Sequence, residues 1–227
     1  MNEASKTRRV RAPDFEKKYL SGRVIDIGAG ADLVCPTAES FDKDDGDANS
    51  ILDFFSENTF DCVHSSHCLE HMDAPEKALH EWWKLVKPGG YMIIVVPDEY
   101  LYEQGFWPSM FNTDHKFTFR IGGSSQSRFS IDIKLLCEAL INCEIIQCKR
   151  QTDNYNHNLI FDKKNRPREM KNFIIKKMIS LCYKSPLFIN IFGKWLVNQG
   201  YPLDQTMGHA LAQIEIIMKK SIKKFPE

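Results

Sequence analysis

The sequence predicts an α/β protein built on a doubly wound sheet. Three observations lead to this fold class. Residues 24–30 run from a strand-forming segment into two glycines at alternate positions, as at the turn after a nucleotide-binding strand. Residues 91–96 are continuously apolar, which is typical of a parallel strand buried on both faces. Strand-like and helix-like segments alternate between and after these two segments.

The first half of the chain yields its elements in a simple order. We expect a short helix over 15–20, strands over 23–27, 39–41 and 59–65, and either a strand or a turn over 50–55. The crossover between the first two strands contains Pro36 and is short, so we expect it to be abbreviated.

One helix of the first half is marked at both ends. Asp73 and Glu76 have the spacing of a capping box, in which two side chains satisfy the free N–H groups of a helix start. Apolar side chains then recur at helical spacing, at Ala78, Leu79, Trp82, Leu85 and Val86. The run Pro88-Gly89-Gly90 is expected to end this helix.

The second half begins with a long loop and ends in a segment of different character. Residues 97–130 form a loop rich in aromatic residues, and loops of such length are usually functional. Beyond it we expect a helix over 131–141, strands near 144–148 and 156–161, helices over 168–183 and 187–198, and a last helix with the apolar stripe Met207, Leu211, Ile214, Met218 and Ile222. These elements predict a main domain over 1–165 and a helical appendage over 166–227.

Composition and charge indicate an ordinary soluble domain with a basic extension. The 227 residues are 43% hydrophobic and 26% charged, and the formal net charge is zero. Residues 166–227 carry 11 Lys and Arg against 4 Asp and Glu, so the remainder of the chain is acidic. We see neither a signal peptide nor an apolar run of about 20 residues that could span a bilayer, so we expect a cytoplasmic protein. The seven cysteines are expected as free thiols.

The ends of the first two strands predict a site for a nucleotide-like cofactor. Asp26, Gly28, Ala29 and Gly30 should lie at the carboxyl end of the first strand, where doubly wound sheets bind ligands. Because glycine lacks a Cβ, the backbone there can approach a ligand closely. Asp42 ends the second strand, where a carboxylate can accept hydrogen bonds from both hydroxyl groups of a ribose.

A group of cysteines and histidines between residues 62 and 71 has the residue types of a zinc site. Its members are Cys62, His64, His67, Cys68 and His71. The group contains no Cys-x-x-Cys pair, and a parallel strand that emerges into a cofactor cleft rarely surrounds a tetrahedral ion. We therefore predict that the protein uses no metal.

Several segments, in their order and spacing, resemble the class I S-adenosylmethionine (SAM) dependent methyltransferases, specifically the broad type-11 group. These segments are 24–30, Phe60-Asp61-Cys62-Val63, Leu69-Glu70-His71, 85–90 and 91–97. The resemblance implies a Rossmann-like sheet whose antiparallel edge hairpin is made by the strands near 144–148 and 156–161. It also implies SAM as the cofactor and S-adenosylhomocysteine as the product.

The same resemblance assigns positions around the cofactor. The glycine turn would lie under the methionine part of SAM, although Asp32 stands where the family often has a third glycine. Asp42 would bind the ribose. The resemblance places Asp47 and Ala48 at the adenine edge and places Ser66, His67, Glu70 and His71 on the rim beside SAM.

The loop after the last central strand provides candidates for the chemistry. In an open α/β sheet this loop overhangs the carboxyl ends of the strands, where a methyl acceptor would bind. A hydroxyl nucleophile needs a base, and His115 between Asp114 and Lys116 is the best candidate. Asp98 and Glu99 are the alternative catalytic residues. The expected contacts to the acceptor are Tyr102, Trp107, Asn112 and Lys116.

Further strings resemble a subgroup of bacterial methyltransferases that is associated with surface-polysaccharide and small-molecule biosynthesis. They are 65–72, Pro97-Asp98-Glu99, 101–104, 108–109, 114–116 and 204–206. The implied reaction is methyl transfer to oxygen or nitrogen of a small polar acceptor. The acceptor would be a sugar, a sugar nucleotide or a phosphorylated precursor of a surface glycan, and an anionic group on it would suit the basic extension.

Other functions stay open as alternatives. A catalytically silent protein that binds SAM or a partner would keep the fold, and turnover of SAM would distinguish it. Methylation of nucleic acid or protein is a further alternative, but the acidic residues 1–165 carry no RNA-binding motif, so we expect no nucleic-acid partner. An NAD-type oxidoreductase would need a glycine where Leu33 stands. The C-terminal helices should bury apolar residues within the protein, in a homodimer or in a peripheral membrane contact.

Overall fold

The computed structural model describes residues 3–162, 164–168 and 172–222, and its core is a six-stranded sheet. In chain order the strands are β1 (Val24–Ile27), β2 (Glu39–Phe41), β3 (Phe60–Ser66), β4 (Val86–Pro97), β5 (Thr118–Arg120), β6 (Ser130–Asp132), β7 (Cys143–Gln151) and β8 (Gln213–Lys220). The main sheet has the order β2-β1-β3-β4-β8-β7, and β5 pairs separately with β6. Strands β1 to β4 run parallel, whereas β8 runs antiparallel to both neighbours. The predicted α/β class with an antiparallel edge is confirmed.

Six α-helices lie in the described part of the chain. They are α1 (Glu3–Arg8), α2 (Phe15–Tyr19), α3 (Pro75–Leu85), α4 (Ile133–Glu138), α5 (Phe173–Lys184) and α6 (Pro186–Asn198). Helices α2 to α6 confirm the predicted ones with shifted ends. Residues 169–171, at the start of the helix predicted over 168–183, lie outside the described residues. The ambiguous segment 50–55 lies in and just beyond a 3-10 turn over 48–53, and no helix fills the short first crossover.

Helix α3 covers one face of the parallel strands because its apolar side chains recur on one side. Leu79, Trp82 and Leu85 are fully buried against the sheet. The indole N–H of Trp82 donates to the carbonyl of Ala48 at 2.9 Å, so this large side chain is buried without an unsatisfied polar group. The helix thereby connects the core to the turn that follows β2.

The predicted capping box of α3 is wrong. The helix begins at Pro75 with Ala74 as its N-cap, and no side chain caps it. Proline suits the first turn because it has no N–H group to satisfy and its φ angle is already helical. The carboxylate of Asp73 instead accepts from Lys116 at 2.6 Å, which joins the start of α3 to the long loop.

The predicted C-terminal helix is also wrong, because residues 213–220 form strand β8 between β4 and β7. Ile214 and Met218 fit a helical repeat of four and a strand repeat of two equally well. The burial of Ile216 shows that the segment follows the strand repeat. This residue is fully buried with Ile214 and Met218 in the main core, whereas Ile217 is buried in a different cluster on the other face.

The second strand of the predicted edge hairpin is also wrong, because β8 takes its place beside β7. Residues 156–161 contain only a 3-10 turn over 157–159, and the antiparallel partner of β7 is β8. Leu159 and Phe161 are buried in a separate cluster beneath α5 and α6. The predicted boundary after residue 165 therefore does not separate the sheet from the helices, since β8 returns to the sheet.

Helices α5 and α6 pack on each other and expose apolar side chains on their outer face. Ile175, Ile179 and Leu196 are buried between them and the loop below. Large exposed side chains on their other faces include Phe173, Ile174, Leu187, Ile191 and Trp195. In the described part of the chain, no helix has both the length and the apolar character to cross a membrane. All seven cysteines are free thiols, as predicted.

The strand assignment of β8 makes a testable difference to stability. Ile216→Ala should lower the free energy of unfolding by about 2–5 kcal/mol, because it leaves a cavity in a central strand that is buried on both faces. Met207→Ala should change it by no more than about 0.5 kcal/mol, because Met207 is 51% exposed. Urea denaturation of both variants measures the difference. Equal losses at the two positions would contradict the strand assignment.

Candidate functional site

A cleft opens where β1, β2 and β3 end, at the carboxyl edge of the parallel sheet. It consists of an inner cavity of about 320 Å³ and a more open outer cavity of about 1000 Å³. Both cavities are lined by Gly28, Asp42, His67 and His71, so they form one continuous space. Helix α1 contributes Glu3 and Ala4 to the inner cavity.

The glycine turn after β1 has the backbone conformation that the sequence predicts. Gly28 and Gly30 have φ angles of +76° and +56°, which L-residues with side chains rarely adopt. A Cβ on Gly28 would lie 2.6 Å from the side chain of Cys68, so this glycine is required by packing against the end of β3. At Gly30 the backbone N–H donates to Asp42 at 3.0 Å, which ties the turn to the end of β2.

Asp26 serves the structure of the turn, and a buried polar network extends from it. Its carboxylate accepts from the backbone N–H of Val34 and from Nδ1 of His64, both at 2.6 Å. The other ring nitrogen of His64 faces the guanidinium of Arg11 at 3.3 Å. Arg11 in turn pairs with Glu215 of β8 at 2.8 Å, and both side chains are almost completely buried.

The network continues across β8 to the rim of the cleft. Glu215 accepts from the amide groups of Gln147 and Gln151. Gln151 accepts from Gln213, whose own amide oxygen accepts from Nε2 of His67 at 2.9 Å. A chain of buried hydrogen bonds therefore connects the antiparallel strands to a residue that lines both cavities.

A second polar group lies in the wall of the inner cavity. His115 is buried, and its Nδ1 donates to Glu103 at 2.8 Å. Its Nε2 lies 3.9 Å from Glu70, whose Oε1 is also 4.0 Å from Nε2 of His71 and 3.6 Å from Nδ1 of His67. The ring of Tyr102 packs on that of His115, with 5.3 Å between the centroids.

Glu70 and His67 each stabilise the charged form of the other. Burial alone would raise the pKa of Glu70, but the neighbouring His67 outweighs this effect and lowers that pKa. Burial likewise opposes protonation of His67, and Glu70 outweighs it and raises the pKa of His67. The lowered pKa of Glu70 and the raised pKa of His67 both favour an ionised Glu70 in the wall of the inner cavity. Burial raises the pKa of Tyr102, so its hydroxyl keeps its proton.

Most of the predicted site residues come together around the two cavities. The nine predicted cofactor residues that line them are Asp26, Gly28, Ala29, Gly30, Asp42, Asp47, Ala48, Ser66 and His67. Three predicted contacts to the acceptor, Tyr102, Asn112 and Lys116, also line them, and so does His115. Trp107 does not line either cavity and instead packs on Phe129, with 5.6 Å between the ring centroids.

The predicted catalytic residues Asp98 and Glu99 lie away from the cleft. Asp98 is fully buried, caps the turn at residues 100–101 and pairs with Arg150 at 2.5 Å. Glu99 accepts from the backbone of Gln126 and from the hydroxyl of Ser130. Their carboxylate oxygens already hold the loop together, so their positions give no support to a catalytic role.

Sequence reasoning missed the residues that position the site from elsewhere in the chain. Glu103 orients His115, and Arg11 with Glu215 supports the network below β1. The zinc-like group between residues 62 and 71 does not come together as one site, although His67 and His71 both approach Glu70. Cys62 is buried in the core, and His64 bonds Asp26 beneath the cleft. Only a long-range contact map would have indicated these pairs, because no local pattern encodes them.

A parallel sheet with an antiparallel strand next to β4, and with a cleft at its carboxyl edge, is the Rossmann-like architecture expected of the class I methyltransferases. A family model described as a methyltransferase domain matches residues 4–122, more than half of the chain. The protein belongs to this methyltransferase family. No curated protein matches the chain.

Solved structures with similar folds include several methyltransferases. A SAM-dependent methyltransferase from Archaeoglobus fulgidus is 16% identical, with 97% of this chain and 95% of that chain covered and a TM-score of 0.48. A SAM-dependent methyltransferase from Thermotoga maritima is 17% identical, with 97% and 88% covered and a TM-score of 0.46. The YcgJ protein from Bacillus subtilis is 16% identical, with 91% and 94% covered and a TM-score of 0.47. None of these similarities bears on the acceptor.

The buried pair between Arg11 and Glu215 should matter more for stability than an exposed pair. Arg11→Met should cost about 3–5 kcal/mol of unfolding free energy, because it leaves the Glu215 carboxylate buried without its cation. Arg23→Met removes a pair with Glu39 in which both side chains are more than 40% exposed, and it should cost at most about 1 kcal/mol. Denaturant unfolding compares the two variants, and a similar small loss for both would contradict the network.

Proposed function

We propose that the protein transfers the methyl group of SAM to an oxygen or nitrogen atom of a small polar acceptor. The lining of the cleft is the observation that supports this proposal. The glycine turn and Asp42 line the inner cavity together with His115, Tyr102 and Asn112. A cofactor at the first group and an acceptor at the second would be held within reach of each other, which is the main requirement of a displacement reaction.

The residues at the glycine turn fit SAM. Asp42 lines both cavities and keeps its side chain partly exposed, as a ligand for a ribose diol must. The hydroxyl of Ser66 is buried at the cleft without a hydrogen-bond partner among the described residues, so a donor or acceptor on a ligand would satisfy it. Asp47 and Ala48 line the outer cavity, where the adenine would lie. When bound, SAM supplies an electrophilic methyl group on a sulfonium.

The lining of the inner cavity indicates the chemistry of the acceptor. Five carboxylates line this cavity, those of Glu3, Asp26, Asp32, Asp42 and Glu70. They favour an acceptor with hydroxyl or amine groups and disfavour a phosphate next to the methyl group. A sugar has this chemistry, and it is the acceptor that the resemblance to polysaccharide-associated methyltransferases implies. No residue of α5 or α6 lines the cavity, so their positive charge does not support binding of an anionic acceptor there.

Asp42 offers a direct test of cofactor binding. Asp42→Ala should weaken S-adenosylhomocysteine binding about 10- to 100-fold, because it removes a charged acceptor worth about 1.5–3 kcal/mol for the ribose. The matched control is Asp44→Ala, which changes an exposed carboxylate two residues away that does not line either cavity. Isothermal titration calorimetry measures both. Wild-type affinity in both variants would place the ribose elsewhere.

His115 offers a test of the transfer step. His115→Ala should lower turnover at least about 100-fold, the usual scale for a residue that acts on the transferred proton or its oxygen, and should leave affinity for S-adenosylhomocysteine nearly unchanged. The control is His157→Ala, since His157 is exposed and outside both cavities. The assay follows formation of S-adenosylhomocysteine with a panel of sugars and amines. A protein that binds the cofactor but turns over with none of them supports the silent alternative.

A further inference from the structure

We propose that Glu70, His71 and His115 bind a divalent transition-metal ion in the inner cavity, which reverses the expectation from the sequence that the protein uses no metal. One ligand atom from each of these residues lies within 4.8 Å of the others. Two imidazoles and one carboxylate form a donor set that binds zinc and related first-row ions in proteins. The inference deepens the proposed function, on which it rests, because the ion would lie where the acceptor is expected.

The hydrogen bonds of the two histidines prepare them as ligands. Nδ1 of His71 donates to the carbonyl oxygen of Asp114 at 3.0 Å, and Nδ1 of His115 donates to Glu103 at 2.8 Å. Each bond fixes the proton on Nδ1 and leaves the lone pair on Nε2. These two Nε2 atoms face the same oxygen of Glu70 at 4.0 and 3.9 Å. A carboxylate or carbonyl behind each imidazole is the usual support of a metal-binding histidine.

Glu70 supplies an independent indication of a missing ligand. Its side chain is 1% exposed, it lines the inner cavity, and neither of its oxygens has a hydrogen-bond partner among the described residues. His67 approaches only to 3.6 Å. Nε2 of His115 is 3.9 Å from Oε1 of Glu70, which is also too far for a hydrogen bond. A buried carboxylate that accepts no hydrogen bond and faces only a more distant histidine is incompletely compensated, and a bound cation would complete that compensation.

The geometry requires only small movements to close around an ion. Metal bonds of about 2.0–2.2 Å hold tetrahedral ligand atoms about 3.4 Å apart, so the two distances to Glu70 must shrink by about 0.5–0.6 Å and the distance between the two Nε2 atoms by up to about 1.4 Å. His71 can provide most of this movement because its side chain is 32% exposed. Three protein ligands leave one position open toward the cavity. That position suits an oxygen atom of the acceptor, which the ion would orient and acidify.

Titration with Co²⁺ tests the site on the full-length protein without any acceptor. After treatment with a chelator, the wild type should bind one Co²⁺ per chain with the visible absorption of a four- or five-coordinate ion. His71→Ala and Glu70→Gln should each weaken that binding at least about 100-fold. Glu103→Gln removes only the support behind His115 and should weaken it about 10- to 100-fold. The matched control is His80→Ala, which removes an exposed histidine of α3 and should change nothing.

Two further measurements keep this proposal separate from the proposed function. Circular dichroism of each variant establishes that it is folded, and His71→Ala, at a partly exposed position, is the variant least able to disturb the fold. Calorimetry with S-adenosylhomocysteine on the metal-free protein tests the cofactor site alone. Cofactor binding without Co²⁺ binding, or Co²⁺ binding that survives both His71→Ala and Glu70→Gln, would overturn the metal site and leave the methyltransferase proposal intact. Co²⁺ binding without cofactor binding would do the reverse.

Discussion

The arrangement of the cleft depends on the buried carboxylate of Asp26. This group joins the crossover after β1, through Val34, to the neighbouring strand β3, through His64. A carboxylate at that depth is stable only with partners, so the need to satisfy it holds both segments in place. The glycine turn lies in the chain between Asp26 and its partner Val34. Its position therefore follows from a polar requirement beneath the cleft as much as from the φ angles of its glycines.

The buried acidic residues of the cleft and of the long loop after β4 divide into two groups, those whose oxygens accept hydrogen bonds and those that keep an oxygen without a partner. The carboxylates of Asp98 and Glu99 accept hydrogen bonds from their own loop and its neighbours, so they hold that loop in shape. Glu70 and Glu103 retain buried oxygens without partners in the described part of the chain. Unsatisfied groups of this kind are rare in folded proteins. Those of Glu70 and Glu103 line or adjoin the inner cavity, whereas a third, on Glu81, lies on α3 outside it.

The sequence predicted those parts of the fold and site that local chemistry determines. β1, β4 and the glycine turn follow from apolar runs and from the φ angles that only glycine adopts readily. The sequence predicts a helix at β8 because the spacing of Ile214 and Met218 fits both the helical and the strand repeat. Only pairing with the neighbouring strands β4 and β7 determines that the segment is a strand. The pairing of Glu103 with His115 was not predictable because it depends on how a long loop folds back.

The position of β8 also determines the order in which the sheet can be completed during synthesis. Pro97 at the end of β4 pairs with Gln213, which the ribosome adds 116 residues later. Until then the nascent chain holds β4 with one hydrogen-bonding edge open, and that strand is almost wholly apolar. β7 must also wait, since its partner in the sheet is β8. The half-made protein therefore exposes this unpaired apolar edge while the next 116 residues are added, which makes it a candidate for chaperone protection and vulnerable to self-association when production is rapid.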